Sequence, residues 1–313
     1  MLNFATPLIA KVLLLTTSFF VLSCNEDIIL RDDFPQPFTL YGVLSPDLDT
    51  QYVRVYPIDD FPRLDQEVPE GIRFSSLDLQ TGEEIIWTDT VDIAPNGQQD
   101  LVFKAIFKPV YEHIYRIQAE RLSDGAISYV DVRIPPEVTI RTEEVILPAP
   151  NEAILRFIVE AERIRVLKPD VTYSVRPIGL GSPSRAYLLP HHRAEIPIEN
   201  GWEIPVNIWV DRLFVQNFYN VELGTLLGIR PFAFILNQIQ IDLIVGDAEW
   251  DPPSGVLDPN LLSHPTVLQN IENGLGFVGA GYRISARFNP SCAFVTDAEY
   301  VCVDELVDNK SDF

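Results

Sequence analysis

Beyond residue 38 the hydrophobic positions fall in short runs. They are rich in β-branched and aromatic residues and cut apart by Pro, Gly, Asp and Ser. That pattern predicts strands and tight turns. Thr39–Ser45 and Gln51–Ile58, the latter containing Tyr52-Val53-Arg54-Val55-Tyr56, flank a turn at Pro46-Asp47-Leu48-Asp49. Ile72–Leu79 and Glu84–Thr90 flank Gln80-Thr81-Gly82, a hairpin signal. Leu101–Phe107 follows a polar loop at Pro95-Asn96-Gly97. His113–Glu120 and Ala126–Ile134 flank Ser123-Asp124-Gly125, the clearest hairpin in the chain.

Short strands at this spacing, closed by Pro135-Pro136, predict a β-sandwich of immunoglobulin or transthyretin type over residues 38–136. A second, mostly β domain is expected over 137–303. Ile140–Leu147, Ala153–Glu160 and Val171–Arg176 read as strands, and Gly179–Pro183 as a loop. Ile208–Tyr219 places Ile208, Leu213, Val215 and Phe218 at mixed intervals and admits a short helix. Phe232–Val245 carries Phe234, Leu236, Ile239, Ile241 and Leu243, an alternation that changes register midway. Trp250–Pro265 is irregular, and residues 304–313 form an acidic tail. The fold class is therefore mainly β: a sandwich, then a second β domain with short helices.

The first segment has a different pattern. Val12–Leu22 is continuously apolar, Lys11 precedes it, and Ser23-Cys24 then gives way to Asn25-Glu26-Asp27. A membrane-spanning helix needs about 20 apolar residues, and Pro7 and Lys11 interrupt any longer run. The length suits a cleaved signal. Val21-Leu22-Ser23-Cys24 resembles the lipobox of bacterial lipoproteins. That resemblance implies a signal peptide over residues 1–23 and a diacylglycerol on the sulfur of Cys24. More than one acyl chain on Cys24 would make a durable anchor. Residues 24–37 read as an acidic tether. Acidic residues directly after such a cysteine also resemble the signal that sends lipoproteins of Bacteroidetes-type bacteria to the outer face of the outer membrane.

The chain carries 45 acidic and 23 basic residues, a net charge of −22. Nucleic acid and anionic lipid surfaces are poor partners for it, since both are bound through clustered Lys and Arg. With Cys24 lipidated, Cys292 and Cys302 remain as a pair, and an even remainder in an exported chain points to a disulfide. The intervening sequence SCAFVTDAEYVC allows two short strands with a turn near Thr296–Ala298.

Candidate chemistry is sparse. Gly274-Leu275-Gly276-Phe277-Val278-Gly279 matches G-x-G-x-x-G, and Asp297 lies near the distance of a ribose-binding acid. The fingerprint requires a strand before it and a helix opening after it. Gln269–Asn273 makes a poor strand and Ala280–Phe288 alternates like one, so tight backbone packing explains the glycines better. His191, His192 and Glu195 lack a metal-site spacing, and His113 and His264 are isolated. Asp47, Asp49, Asp59 and Asp60 lack the glycine and closing glutamate of a calcium loop. No cofactor and no metal is expected. No G-x-S-x-G elbow is present.

Leu257-Asp258-Pro259-Asn260, His264-Pro265 and Asn270-Ile271-Glu272-Asn273-Gly274-Leu275-Gly276-Phe277 with Gly279 resemble the closing motif of a family of uncharacterised Bacteroidetes outer-membrane lipoproteins, a domain of unknown function. HIYRIQAERLSDGAISYVDVRIPPEV resembles its strand–turn–strand–Pro-Pro passage, and the likeness is patchy through 140–240. The resemblance implies an outer-membrane lipoprotein, often encoded near a TonB-dependent transporter, and no catalytic residue. The expectation is a non-enzymatic binding or accessory protein for a transporter, a glycan or peptide, or another envelope protein. The alternative is a carbohydrate-active hydrolase whose carboxylate pair is hidden among the acids. Trp87, Trp202, Trp209 and Trp250 are too dispersed to decide by spacing.

Overall fold

The computed structural model describes residues 37–57, 71–93, 99–147, 153–178, 183–190, 195–221, 233–250 and 268–302. The signal segment with Cys24, the tether up to residue 36, Asp59, Asp60, His191, His192, His264 and the acidic tail lie outside them.

The first strands are β1 (Phe38–Leu44), β2 (Thr50–Pro57), β3 (Ile72–Asp78), β4 (Glu84–Ile86), β5 (Thr88–Ile93), β6 (Gln99–Ile106), β7 (Ile114–Arg121) and β8 (Ile127–Arg133). Then come β9 (Ile140–Ile146), β10 (Ala153–Glu160), β11 (Ile164–Pro177), β12 (Arg185–Pro190), β13 (Ile196–Ile198) and β14 (Gly201–Asn207). Helix α1 (Ile208–Tyr219), strands β15 (Phe234–Asp247) and β16 (Gly274–Phe288), and helix α2 (Cys292–Asp297) complete the set. The fold is mainly β, with two short helices.

The largest sheet has eight strands in the order β12-β11-β15-β16-β1-β2-β6-β5. Two four-stranded sheets, β13-β14-β10-β9 and β4-β3-β7-β8, accompany it. The pivot is β16. Its first half pairs in parallel with β1, from Gly274 opposite Phe38 to Ala280 opposite Leu44. Its second half pairs antiparallel with β15, from Gly281 opposite Gly246 to Phe288 opposite Ile239.

Two apolar cores follow from this arrangement. Phe38, Leu40, Val53, Val55 and Phe103 of the large sheet meet Phe74, Ile117, Val130 and Val132. Tyr173, Val175, Ile239, Ile241 and Leu243 of the same sheet meet Leu155, Phe157, Ile204 and Val206. Each such fully buried side chain contributes roughly 1.5–3 kcal/mol. Strand β16 serves both cores, giving Val278 and Ala280 to the first and Tyr282 to the second. The Tyr282 hydroxyl donates to Pro136 O (2.6 Å) and accepts from Val138 N (2.9 Å), fixing the segment between β8 and β9 against β16.

Three elements differ from expectation for identifiable reasons. Glu84–Thr90 is two strands. It breaks at buried Trp87, whose Nε1 donates to Ser76 Oγ, so that β4 pairs with β3 while β5 crosses to β6. Strand β11 begins well before Val171: Lys168, at φ 48°, and Pro169 form a bulge between Leu167 and Asp170. Cys292–Cys302 holds no strand pair. Ser291 caps α2 through Phe294 N, Glu299 turns the chain at φ 61°, and Val301 then bridges in parallel to Ile235.

Helix α1 covers the range read from sequence. Asn207 caps it, accepting from Val210 N at 3.0 Å. Its buried face is Ile208, Val215 and Tyr219, whereas Leu213 and Phe218 are exposed. The register change in β15 is a bulge: Val175 faces Leu236 and Ser174 faces Gln238, leaving Asn237 out of the ladder.

Candidate functional site

Strand alternation builds a depression on the outer face of the large sheet. In β2, Gln51, Val53 and Val55 point inward, which turns Tyr52 and Arg54 to the outer face. In β1, Phe38, Leu40 and Leu44 are fully buried, while Tyr41 and Val43 face out. Tyr41 stands opposite Arg54 on β2 and opposite Phe277 on β16. Val102 on β6 continues the row beyond Arg54. With Trp250 and Leu268, these residues surround a depression of about 360 Å³.

Its wall is held rigidly. Trp250 meets Phe277 edge-on, with ring centroids 5.0 Å apart. The indole Nε1 donates to Ala280 O at 2.9 Å. Gly279 makes room for it: a Cβ there would lie 2.6 Å from Nε1. Asp247 accepts from Ala280 N (2.8 Å) and Glu249 N (2.9 Å), and its own carbonyl accepts from Trp250 N. Burial pushes the Asp247 carboxyl up to about 6, with the amide bonds from Ala280 and Glu249 opposing the rise.

The segment Asn270–Gly279 supports the same wall. Ile271 packs into the first core, and Glu272 exchanges backbone bonds with Tyr129 on β8. Asn273 O accepts from Ser128 Oγ at 2.6 Å. Gly276 has φ +97°, and a Cβ there would fall 2.2 Å from Leu40 O. The G-x-G-x-x-G glycines thus lie within a strand pressed against β1, with no helix opening after them.

Of the nine described residues that line the depression, Arg54 carries a formal charge, and no acid, histidine, serine or cysteine is among those nine. Tyr52 is 51% exposed, whereas Trp250 and Phe277 are buried. Burial raises the pKa of the Tyr41 phenol.

Other sequence candidates lie apart from it. His113 pairs with Asp78, Nδ1 to Oδ2 at 2.8 Å, at the β4-β3-β7-β8 sheet and not at the large sheet. Asp47 accepts a hydrogen bond from Tyr111, and Asp49 is exposed. Among the described residues no group of three His, Cys, Asp or Glu could hold a metal ion. None of their helices is long and apolar enough to cross a membrane. Cys292 and Cys302 are joined, Cα atoms 5.2 Å apart, across the turn that follows α2. No family model and no curated protein matches this chain.

Sequence reasoning named Trp250 and Phe277 but not Tyr41, Tyr52, Arg54 or Leu268 as neighbours. One signal was present: Tyr52, Arg54 and Tyr56 alternate with Val53 and Val55, marking an aromatic, cationic outer face.

Proposed function

We propose that this chain is a lipoprotein anchored through Cys24 to the outer face of the outer membrane, where it acts as a binding or accessory protein. The lipobox-like Val21–Cys24, the acidic residues after it and the motif Asn270–Gly279 support that address. They also favour a TonB-dependent transporter as neighbour. Within this reading the first sandwich is of immunoglobulin or transthyretin type.

The observation that carries a binding role is the aromatic depression. Tyr52 is half exposed at its rim above the buried rings of Trp250 and Phe277, and among the described lining residues there is no carboxylate pair or nucleophile of the kind hydrolysis uses. Thermal-shift measurement against a panel of envelope glycans and peptides tests it. At least one ligand class should raise the melting temperature of the wild type and fail to do so with Tyr52→Ala. Equal responses in both proteins, or none in either, would overturn the reading. Purification from outer membranes in mild detergent addresses the partner: a TonB-dependent transporter should accompany the wild-type chain.

A further inference from the structure

We propose that the depression binds an acidic saccharide, with a sugar ring packed on the aromatic side chains and its carboxylate held by Arg54. This inference rests on the reading that the depression is a ligand site. Tyr52 and Arg54 stand two residues apart on one strand face, which separates their side-chain origins by about 7 Å. A ring resting on Tyr52 thereby places a substituent within reach of the guanidinium. The volume of about 360 Å³ is at the small end of ligand pockets and suits one or two sugar rings.

Charge points to the acid. The chain as a whole is strongly anionic at −22, yet among the described residues lining the depression the charged side chain is a cation, Arg54. Arg54 is exposed beside Tyr41 and Tyr52, so its attraction for an anion acts in contact with solvent and is weakened by salt. A guanidinium forks a carboxylate through two parallel N–H bonds. Arg54 already makes contacts within the protein. Its several N–H donors allow it to serve both roles. The raised pKa of Tyr41 keeps its hydroxyl neutral and able to donate.

A peptide fits less well. Extended peptides are captured by adding to an open strand edge. Here the floor consists of β6, β2, β1 and β16, joined in that order, and offers a face rather than an edge.

The test titrates the full chain in detergent micelles and follows tryptophan fluorescence, with Trp250→Phe to assign the signal. The ligands are galacturonic-acid oligomers, neutral galactose oligomers of the same length, and a peptide with a free carboxyl terminus. The expected result is saturable binding of the acidic oligomer. Affinity should fall about tenfold for the neutral oligomer and for Arg54→Gln, and should weaken with added salt. Tyr52→Ala, at a half-exposed position, should weaken binding without unfolding the protein. Equal affinity for neutral and acidic oligomers, or binding of the peptide alone, overturns the acidic-saccharide assignment and leaves the depression as a ligand site. Absence of any response sensitive to Tyr52→Ala removes the site itself. If Arg54→Gln does not fold, the salt dependence and the acidic-to-neutral ratio of the wild type decide the question.

Discussion

Asn270 and Val278 exchange two hydrogen bonds: Asn270 Nδ2 donates to Val278 O (2.9 Å), and Val278 N donates to Asn270 Oδ1 (3.1 Å). An amide side chain thereby takes the place of a neighbouring strand. It does so where β16 is paired with β1 and has not yet met β15. Asn270 N also donates to Gly276 O, and Asp247 and Trp250 bind the amide and carbonyl of Ala280. Side chains from two loops thus satisfy an edge that would otherwise be left without partners.

Asn270→Ala should therefore destabilise the protein by about 1–3 kcal/mol, the cost of leaving partly buried backbone groups unpaired. Urea denaturation measures it. A shift in midpoint within error of zero would show that water replaces the side chain without cost.

Gly276→Val should cost about 1–3 kcal/mol or more, because the new Cβ meets Leu40 O in a backbone conformation hostile to branched residues. Calorimetry of the variant checks this. NAD or ATP added to the wild type should leave its melting temperature unchanged. A reproducible rise would restore a nucleotide role to these glycines.

Asp247 makes stability depend on pH with a sign opposite to that of a salt-bridged carboxylate. Its folded pKa of about 6 lies above the ordinary 3.8. Below pH 4 both folded and unfolded chains hold the proton. Between pH 4 and 6 the folded chain holds more, so this contribution falls as pH rises and is lost above 6. The total is about 2–3 kcal/mol. Asp247→Asn, which cannot ionise, should lack this component. The wild-type minus variant stability, followed by denaturant unfolding from pH 4 to 7, should decline across that window.

The Cys292–Cys302 bond should survive isolation. Non-reducing peptide mass spectrometry should find the cross-linked pair, and its removal by Cys302→Ser should cost about 2–3 kcal/mol for a loop this short. Two alkylatable thiols in freshly isolated protein would sink the assignment.

Cys24→Ala should abolish incorporation of labelled fatty acid and leave uncleaved precursor. A variant that still takes up label would show that the anchor is elsewhere.

Local signals in the chain foretold local structure. The turns at Gly82 (φ 76°) and Gly125 (φ 73°) appear where glycine supplies a backbone that other residues avoid. Pro169 hid the first part of β11, because a proline in a bulge looks like the end of a strand. The buried face of α1 was not legible from its apolar positions, because Leu213 and Phe218 are left exposed while Tyr219 is covered. The depression was not legible as a unit. Its walls depend on Tyr41 meeting Phe277, a pairing set by tertiary assembly and not by periodicity.

Phe38 and Gly274 are partners in one ladder although most of the chain lies between them. The first core lacks Val278 and Ala280 until the last described strand is in place. Closing so long a loop is slow compared with forming the hairpins inside it. A nascent chain therefore carries an unfinished apolar face for most of its emergence and depends on protection from aggregation during that interval. Residues 38–136 expressed alone would lack their closing strand. The two halves are expected to gain and lose structure together, in one transition set by β16.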